Sequence, residues 1–210
     1  MDPLANVPRH ARVHRKPTWG TCAGLILLAE SANRTKKGGQ ELIGGLDVRV
    51  NRNHFGRQVE SFTADLDLPF LTEQNNNKSA SPVFRSVFIR APVVEKVLPV
   101  AEGVQQGEAS RDGTVVAPAK MPADRLARES YNAEVEVLAR LPGRARALAE
   151  KGVLAQDVGD DGDVIAVRQG NAFGTSFHPE LTGDPRIHIW WLRQVLAATE
   201  RRRHNVVLEA

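Results

Sequence analysis

The run Trp19-Gly20-Thr21-Cys22-Ala23-Gly24 leads directly into the apolar stretch Leu25-Ile26-Leu27-Leu28-Ala29. It predicts a tight strand-to-helix corner with a thiol at its apex. Glycines on both sides make G-x-C-x-G, the cysteine form of the nucleophile elbow. A corner of this kind is strained, and small neighbours let the backbone fold back without clashing. The free N–H groups that open the following helix are expected to favour thiolate over thiol. A buried structural cysteine between two incidental glycines would account for the same six residues, so the corner alone decides nothing.

A second run, Gly174-Thr175-Ser176-Phe177-His178-Pro179-Glu180-Leu181, supplies what a cysteine nucleophile needs. Such a nucleophile requires a base in reach, and the base requires a third group to fix its tautomer. Pro179 predicts extended backbone at His178. The two-residue spacing then projects His178 and Glu180 to the same side. Alone, H-x-E reads as a surface histidine beside a solvated glutamate. Beside an elbow cysteine it predicts a Cys22–His178–Glu180 set, with the sulfur within hydrogen-bond reach of the imidazole.

Residues 16–62, 83–94 and 163–184 resemble the glutaminase subunit of pyridoxal 5'-phosphate synthase, a class I glutamine amidotransferase family. The distinctive stretches are Gly44-Gly45-Leu46-Asp47-Val48, Arg52-Asn53-His54-Phe55-Gly56-Arg57-Gln58 and Phe88-Ile89-Arg90-Ala91-Pro92. The resemblance implies an α/β fold, a three-layer, flavodoxin-like sheet of the class I glutamine amidotransferase type. It implies hydrolysis of L-glutamine to L-glutamate and ammonia, with Cys22, His178 and Glu180 as the catalytic residues. The family's glutamine contacts outside the elbow map onto Arg52, Ile89 and Arg90. A guanidinium is a planar fork that clamps a carboxylate well. The implied partner is the synthase subunit, a (β/α)₈ barrel that uses the ammonia to make pyridoxal 5'-phosphate (vitamin B6). No metal or organic cofactor is implied.

Family members open with a strand, a helix and a second strand that ends in a Gly-Gly-Glu-Ser loop. Residues 1–15 form an atypical segment in that place, with no glycine pair. The resemblance therefore predicts an N-terminally truncated sheet lacking one of the two oxyanion-hole donors, the other being the N–H of Ala23. Loss of one such donor costs on the order of 100- to 1,000-fold in turnover. The alternative function is a catalytically impaired paralogue that serves only as an interaction protein.

The remaining sequence sets bounds. A chain of 210 residues can bury one substantial core, and one domain over 1–210 is expected. A single cysteine permits no intrachain disulfide and suits a reducing compartment. The net charge of +3 is small and dispersed, which argues against nucleic-acid binding. No apolar run reaches membrane-spanning length, and the N-terminus lacks the apolar core of a signal peptide. A cytoplasmic protein is expected. None of the six histidines shows metal-ligand spacing.

Strands are predicted at 16–19, 46–51, 85–90, 134–138, 164–168 and 172–176, and helices at 23–33 and 185–203. Strand 46–51 alternates apolar and polar residues, as a strand with one buried face does. Polar loops are expected at 34–40 and 74–81. Residues 101–132 lack periodicity and carry Gly, Gln, Ser and Pro throughout, which predicts a disordered insertion. The Arg201-Arg202-Arg203-His204 cluster is expected to cap the last helix.

Overall fold

The elbow run folds as a short strand, β1 (Thr18–Thr21), and a short helix, α1 (Ala23–Leu28), with Cys22 between them. The structure is a computed structural model that describes residues 15–34, 40–52, 61–73, 83–141 and 162–208. Residues 35–39 of the loop expected at 34–40, the loop expected at 74–81, the stretch 53–58 and all but the last residue of 1–15 lie outside the described residues. A Cβ at Gly20 would overlap the backbone of Gly24, so glycine there is what lets α1 fold back over β1. At Gly24 a Cβ would meet nothing. Of the two bracketing glycines, only Gly20 is sterically required.

β1 pairs in parallel with β10 (Ala172–Thr175), in a register that runs from Thr18 opposite Ala172 to Thr21 opposite Thr175. This register sets the last residue before Cys22 beside the last strand residue before the His178 segment. β10 turns back antiparallel to β9 (Asp163–Gln169). The eight-stranded sheet continues through β6 (Val93–Val97), β3 (Leu46–Asn51), β2 (Ala29–Asn33) and β7 (Thr114–Val116), while β8 (Val135–Leu141) also pairs with β9. The β1–β10 and β2–β3 pairs are parallel and the others antiparallel, which makes a mixed α/β sheet.

Both faces of the sheet are covered. On one, α1 buries Leu25 and Leu28 against Leu46, Val48, Val50, Val164 and Val167. A Cβ at Gly174 would overlap the Leu25 side chain, so glycine there admits the helix to the sheet. On the other, Phe173, Phe177 and Ile165 pack with Ile187 and Trp190 of α5 (Arg186–Leu208). Leu66, Phe84 and Phe88 join them from a separate hairpin, β4 (Phe62–Asp67) with β5 (Val83–Phe88). The end of that hairpin delivers Ile89 and Arg90 to the Cys22 corner.

Several expectations are corrected. The helix predicted over 23–33 stops at Leu28, and Ala29–Asn33 is strand β2. Its polar residues find partners only in that form: the Ser31 hydroxyl donates to Glu108 (2.7 Å), and Glu30 accepts the Gly45 N–H (2.8 Å). Pairing with distant residues overrides the local helical pattern. Residues 101–132 are ordered rather than disordered. They form elements of their own: a short helix at Gln106–Ala109, strand β7 and the helix Arg125–Asn132, whose Asp124 cap accepts the Ala127 N–H at 2.7 Å. Order here comes from buried polar groups such as Glu108 and Gln105 and from Tyr131, which periodicity does not register. Strand β3 buries both faces, not one, because Asp47 and Arg49 are as enclosed as Leu46 and Val48. The last helix runs on past the Arg201-Arg202-Arg203-His204 cluster to Leu208, so the cluster lies within it rather than at its cap.

Candidate active site

Cys22 has φ 48° and ψ −105°, a conformation that L-residues rarely adopt. Strain of this kind costs roughly 1–3 kcal/mol and persists only where surrounding structure enforces it. Here the Cys22 N–H donates to the Thr175 carbonyl at 2.7 Å, and the Cys22 carbonyl accepts from Leu25 N–H at 3.1 Å. The half-buried sulfur donates to the Ile89 carbonyl at 3.8 Å. Burial pushes the Cys22 thiol up, the Ala23 N–H lowers it, Glu180 raises it and Arg90 lowers it, with a net rise. The helix N–H acts in the expected direction, but burial outweighs it, so the resting group is a thiol.

His178 lies three positions past the end of β10 and donates its N–H to the Val87 carbonyl at 2.8 Å. Pro179 does not enforce extended structure. It opens a 3-10 turn, Pro179–Leu181, for which His178 is the N-cap. Proline suits the first position of a helical turn because its missing N–H would have no partner there. The turn, rather than a strand, brings Glu180 back to the ring, with Nδ1 and Oε1 2.7 Å apart. A carboxylate at Nδ1 assigns the proton to that nitrogen and leaves Nε2 as the basic one. The sulfur is bonded to Ile89 and the imidazole to Glu180; the two side chains make no hydrogen bond with each other.

Both segments therefore dock on one strand end, where Val87 receives His178 and Ile89 receives Cys22. Arg90 follows with φ 44°, a second strained non-glycine residue at the same corner. Arg52 stands apart. Its backbone N–H donates to Asn33 (2.7 Å), its Nη2 to the Gln40 carbonyl (3.2 Å), and its buried Nε has no partner. It makes no hydrogen bond or ion pair with Cys22, Ile89, Arg90, His178 or Glu180.

Two features escape sequence reasoning. The first is Thr175, which lies inside the quoted His178 run but carries no motif role. The second is a buried polar layer under β3. Arg49 donates to Glu108 (2.7 Å), Ser31, Thr114 and Glu95, while Asp47 accepts from Gln105, Lys120 and Gln169. The apolar–polar alternation of β3 is the only signal of it. A cleft of about 580 Å³ lined by Arg168, Gly170, Asn171, Trp191 and Arg201 lies at the opposite end of β10 from the His178 segment. Among the described residues, no group of three or more His, Cys, Asp or Glu could hold a metal ion. No helix among them is long and apolar enough to cross a membrane.

The model of the SNO glutamine amidotransferase family matches residues 3–136 and 127–197. The chain belongs to that family. A probable pyridoxal 5'-phosphate synthase subunit of Arabidopsis thaliana is 40% identical over 178 residues, which covers 85% of this chain and 57% of the relative. A pyridoxal 5'-phosphate synthase subunit of Pseudarthrobacter chlorophenolicus is 38% identical, covering 85% of this chain and 61% of its own length. The corresponding subunit of Leifsonia xyli is 38% identical over 91% of this chain and 66% of its own length. The chain thus spans roughly three fifths of these relatives. A crystal structure of a glutamine amidotransferase superimposes with a TM-score of 0.51 at 31% identity, over 91% of this chain and 67% of that one. The covered mixed sheet is accordingly a class I glutamine amidotransferase fold.

Proposed function

We propose that this chain is the glutaminase of a pyridoxal 5'-phosphate synthase, using Cys22 as nucleophile, His178 as acid and base, and Glu180 as the group that orients His178. The observation that carries the reading is the strained Cys22 corner, tied by its N–H to the strand that leads into a hydrogen-bonded His178–Glu180 pair. Strain at an apical thiol docked on the same strand end as an oriented imidazole suits nucleophilic catalysis better than packing.

The chemistry runs in two halves. Cys22 Sγ attacks the side-chain carboxamide carbon of glutamine as His178 Nε2 takes the thiol proton. The tetrahedral intermediate collapses when His178 returns that proton to the departing nitrogen, which releases ammonia and leaves a γ-glutamyl thioester. Water then gives a proton to His178 and its oxygen to the thioester carbon. Breaking the C–S bond frees glutamate, and the thiol regains its proton. The Ala23 N–H, the first of α1, would donate to the oxyanion. Ile89 and Arg90, at the same corner as the sulfur, would hold the amino-acid head of glutamine. Arg52 is assigned to the same role by resemblance and would have to leave Gln40 to reach it. Ammonia would pass to a further, synthase subunit, since the relatives are named as subunits of pyridoxal 5'-phosphate synthase, and a cytoplasmic, reducing setting suits a thiol nucleophile.

The test is ammonia release from L-glutamine by the chain together with a synthase subunit. Cys22→Ala should lower turnover by about 10⁴-fold or more. Near-normal turnover by that variant would refute the reading.

A further inference from the structure

We propose that Thr175 is a positioning residue for this reaction, locking the base segment to the nucleophile corner through its hydroxyl; the proposal rests on the Cys22–His178 reading above. Thr175 ends β10 and is completely buried. Its carbonyl accepts the Cys22 N–H at 2.7 Å. Its hydroxyl accepts from the Trp19 indole at 3.2 Å and donates to the Phe177 carbonyl at 3.3 Å. One residue therefore touches the strand that enters the elbow, the nucleophile's own amide and the peptide that precedes His178.

The consequence for His178 is geometric. The peptide plane between Phe177 and His178 has two polar groups, and both are pinned. Its carbonyl is held by the Thr175 hydroxyl and its N–H by the Val87 carbonyl at 2.8 Å. The orientation of that plane sets the direction of the His178 Cα–Cβ bond, and hence where the imidazole points. With the carbonyl released, the plane can swing about the remaining bond. A displacement of the ring by about 1 Å is enough to lower turnover by about 100-fold. The hydroxyl has little freedom of its own. The Trp19 ring lies 5.1 Å from Phe173 and 5.2 Å from His188, which fixes the indole donor and so commits the Thr175 proton to Phe177. Packing alone does not require the oxygen, because valine has the same shape as threonine.

The test compares Thr175→Val, Thr175→Ser, Trp19→Phe and Cys22→Ala by glutamate formation from L-glutamine with a synthase subunit present. Thr175→Val should lower kcat by about 100-fold with KM changed less than about threefold, and Thr175→Ser, which keeps the hydroxyl, should recover most of the loss. Trp19→Phe keeps the ring packing but frees the hydroxyl, and should lower kcat by about 3- to 10-fold. It provides the reading if the valine variant does not fold, and an unchanged kcat there overturns the proposal. If Thr175→Val turns over like the wild type while Cys22→Ala is dead, the role of Thr175 fails and the triad stands. If Cys22→Ala is active, both fail.

Discussion

The polar layer under β3 and the Cys22 corner are opposite solutions within one sheet. Arg49 and Asp47 are charged and almost fully enclosed, yet each is matched by several partners from β2, β7, the 101–132 region and β9. Cys22 could be buried at no cost, yet it is held half-exposed with φ 48° and a long sulfur contact to the Ile89 carbonyl. Where every polar group is satisfied, the arrangement specifies the fold. Where a side chain is held in a conformation it does not favour, the arrangement is kept for something other than stability. Damage to the first region should therefore appear in unfolding, and damage to the second in turnover.

The largest separation is expected at the catalytic end. His178→Ala should reduce ammonia release by about 10⁴-fold, equivalent to about 5.5 kcal/mol, while the denaturant midpoint moves little because the ring is partly exposed. A large fall in the midpoint would mean that His178 holds the fold. Arg49→Ala should show the reverse. It strands Glu108, whose side chain is 8% exposed, and should destabilise the chain by about 3–5 kcal/mol. Turnover per folded molecule should be preserved, as measured by denaturant titration alongside activity.

The two regions also explain what could be read from sequence. The elbow, the His178–Glu180 pair and most strands are written in residues a few positions apart, so spacing exposes them. Strand β2 and the order in 101–132 depend on Arg49 reaching Glu108, 59 positions away, and on Asp47 reaching Gln169 and Lys120. No local pattern encodes such pairings, and the polar residues that make them look like solvent-facing ones. The 3-10 turn at Pro179 was hidden for another reason: proline both restricts the residue before it and opens helical turns, and only the surrounding contacts decide which property wins.

Acid should separate the regions next. Burial pushes the Glu108 carboxyl up, but the Ser31 hydroxyl and the Arg49 guanidinium outweigh it, so its value in the folded chain is lowered. A lowered carboxylate contributes stability that is present above the ordinary value of about 4.3 and is lost as pH falls through the folded-state value. Unfolding measured from pH 6 to pH 3, roughly the span that brackets this titration, should show a steeper loss for the wild type than for Arg49→Ala. Parallel curves would remove Glu108 from the account. The smallest effect belongs to the corner: Cys22→Gly, which relieves φ 48°, should stabilise the chain by about 1 kcal/mol while abolishing turnover. A destabilised glycine variant would show that Cys22 is there for packing.

Capture of the intermediate tests the assignment of Cys22 most directly. The chain is mixed with L-glutamine and a synthase subunit, quenched in acid within one turnover, digested and analysed by mass spectrometry. The account predicts a γ-glutamyl group on the peptide carrying Cys22, absent from Cys22→Ala. Glutamate formed at the normal rate with that peptide unmodified, and formed equally by Cys22→Ala, would contradict it.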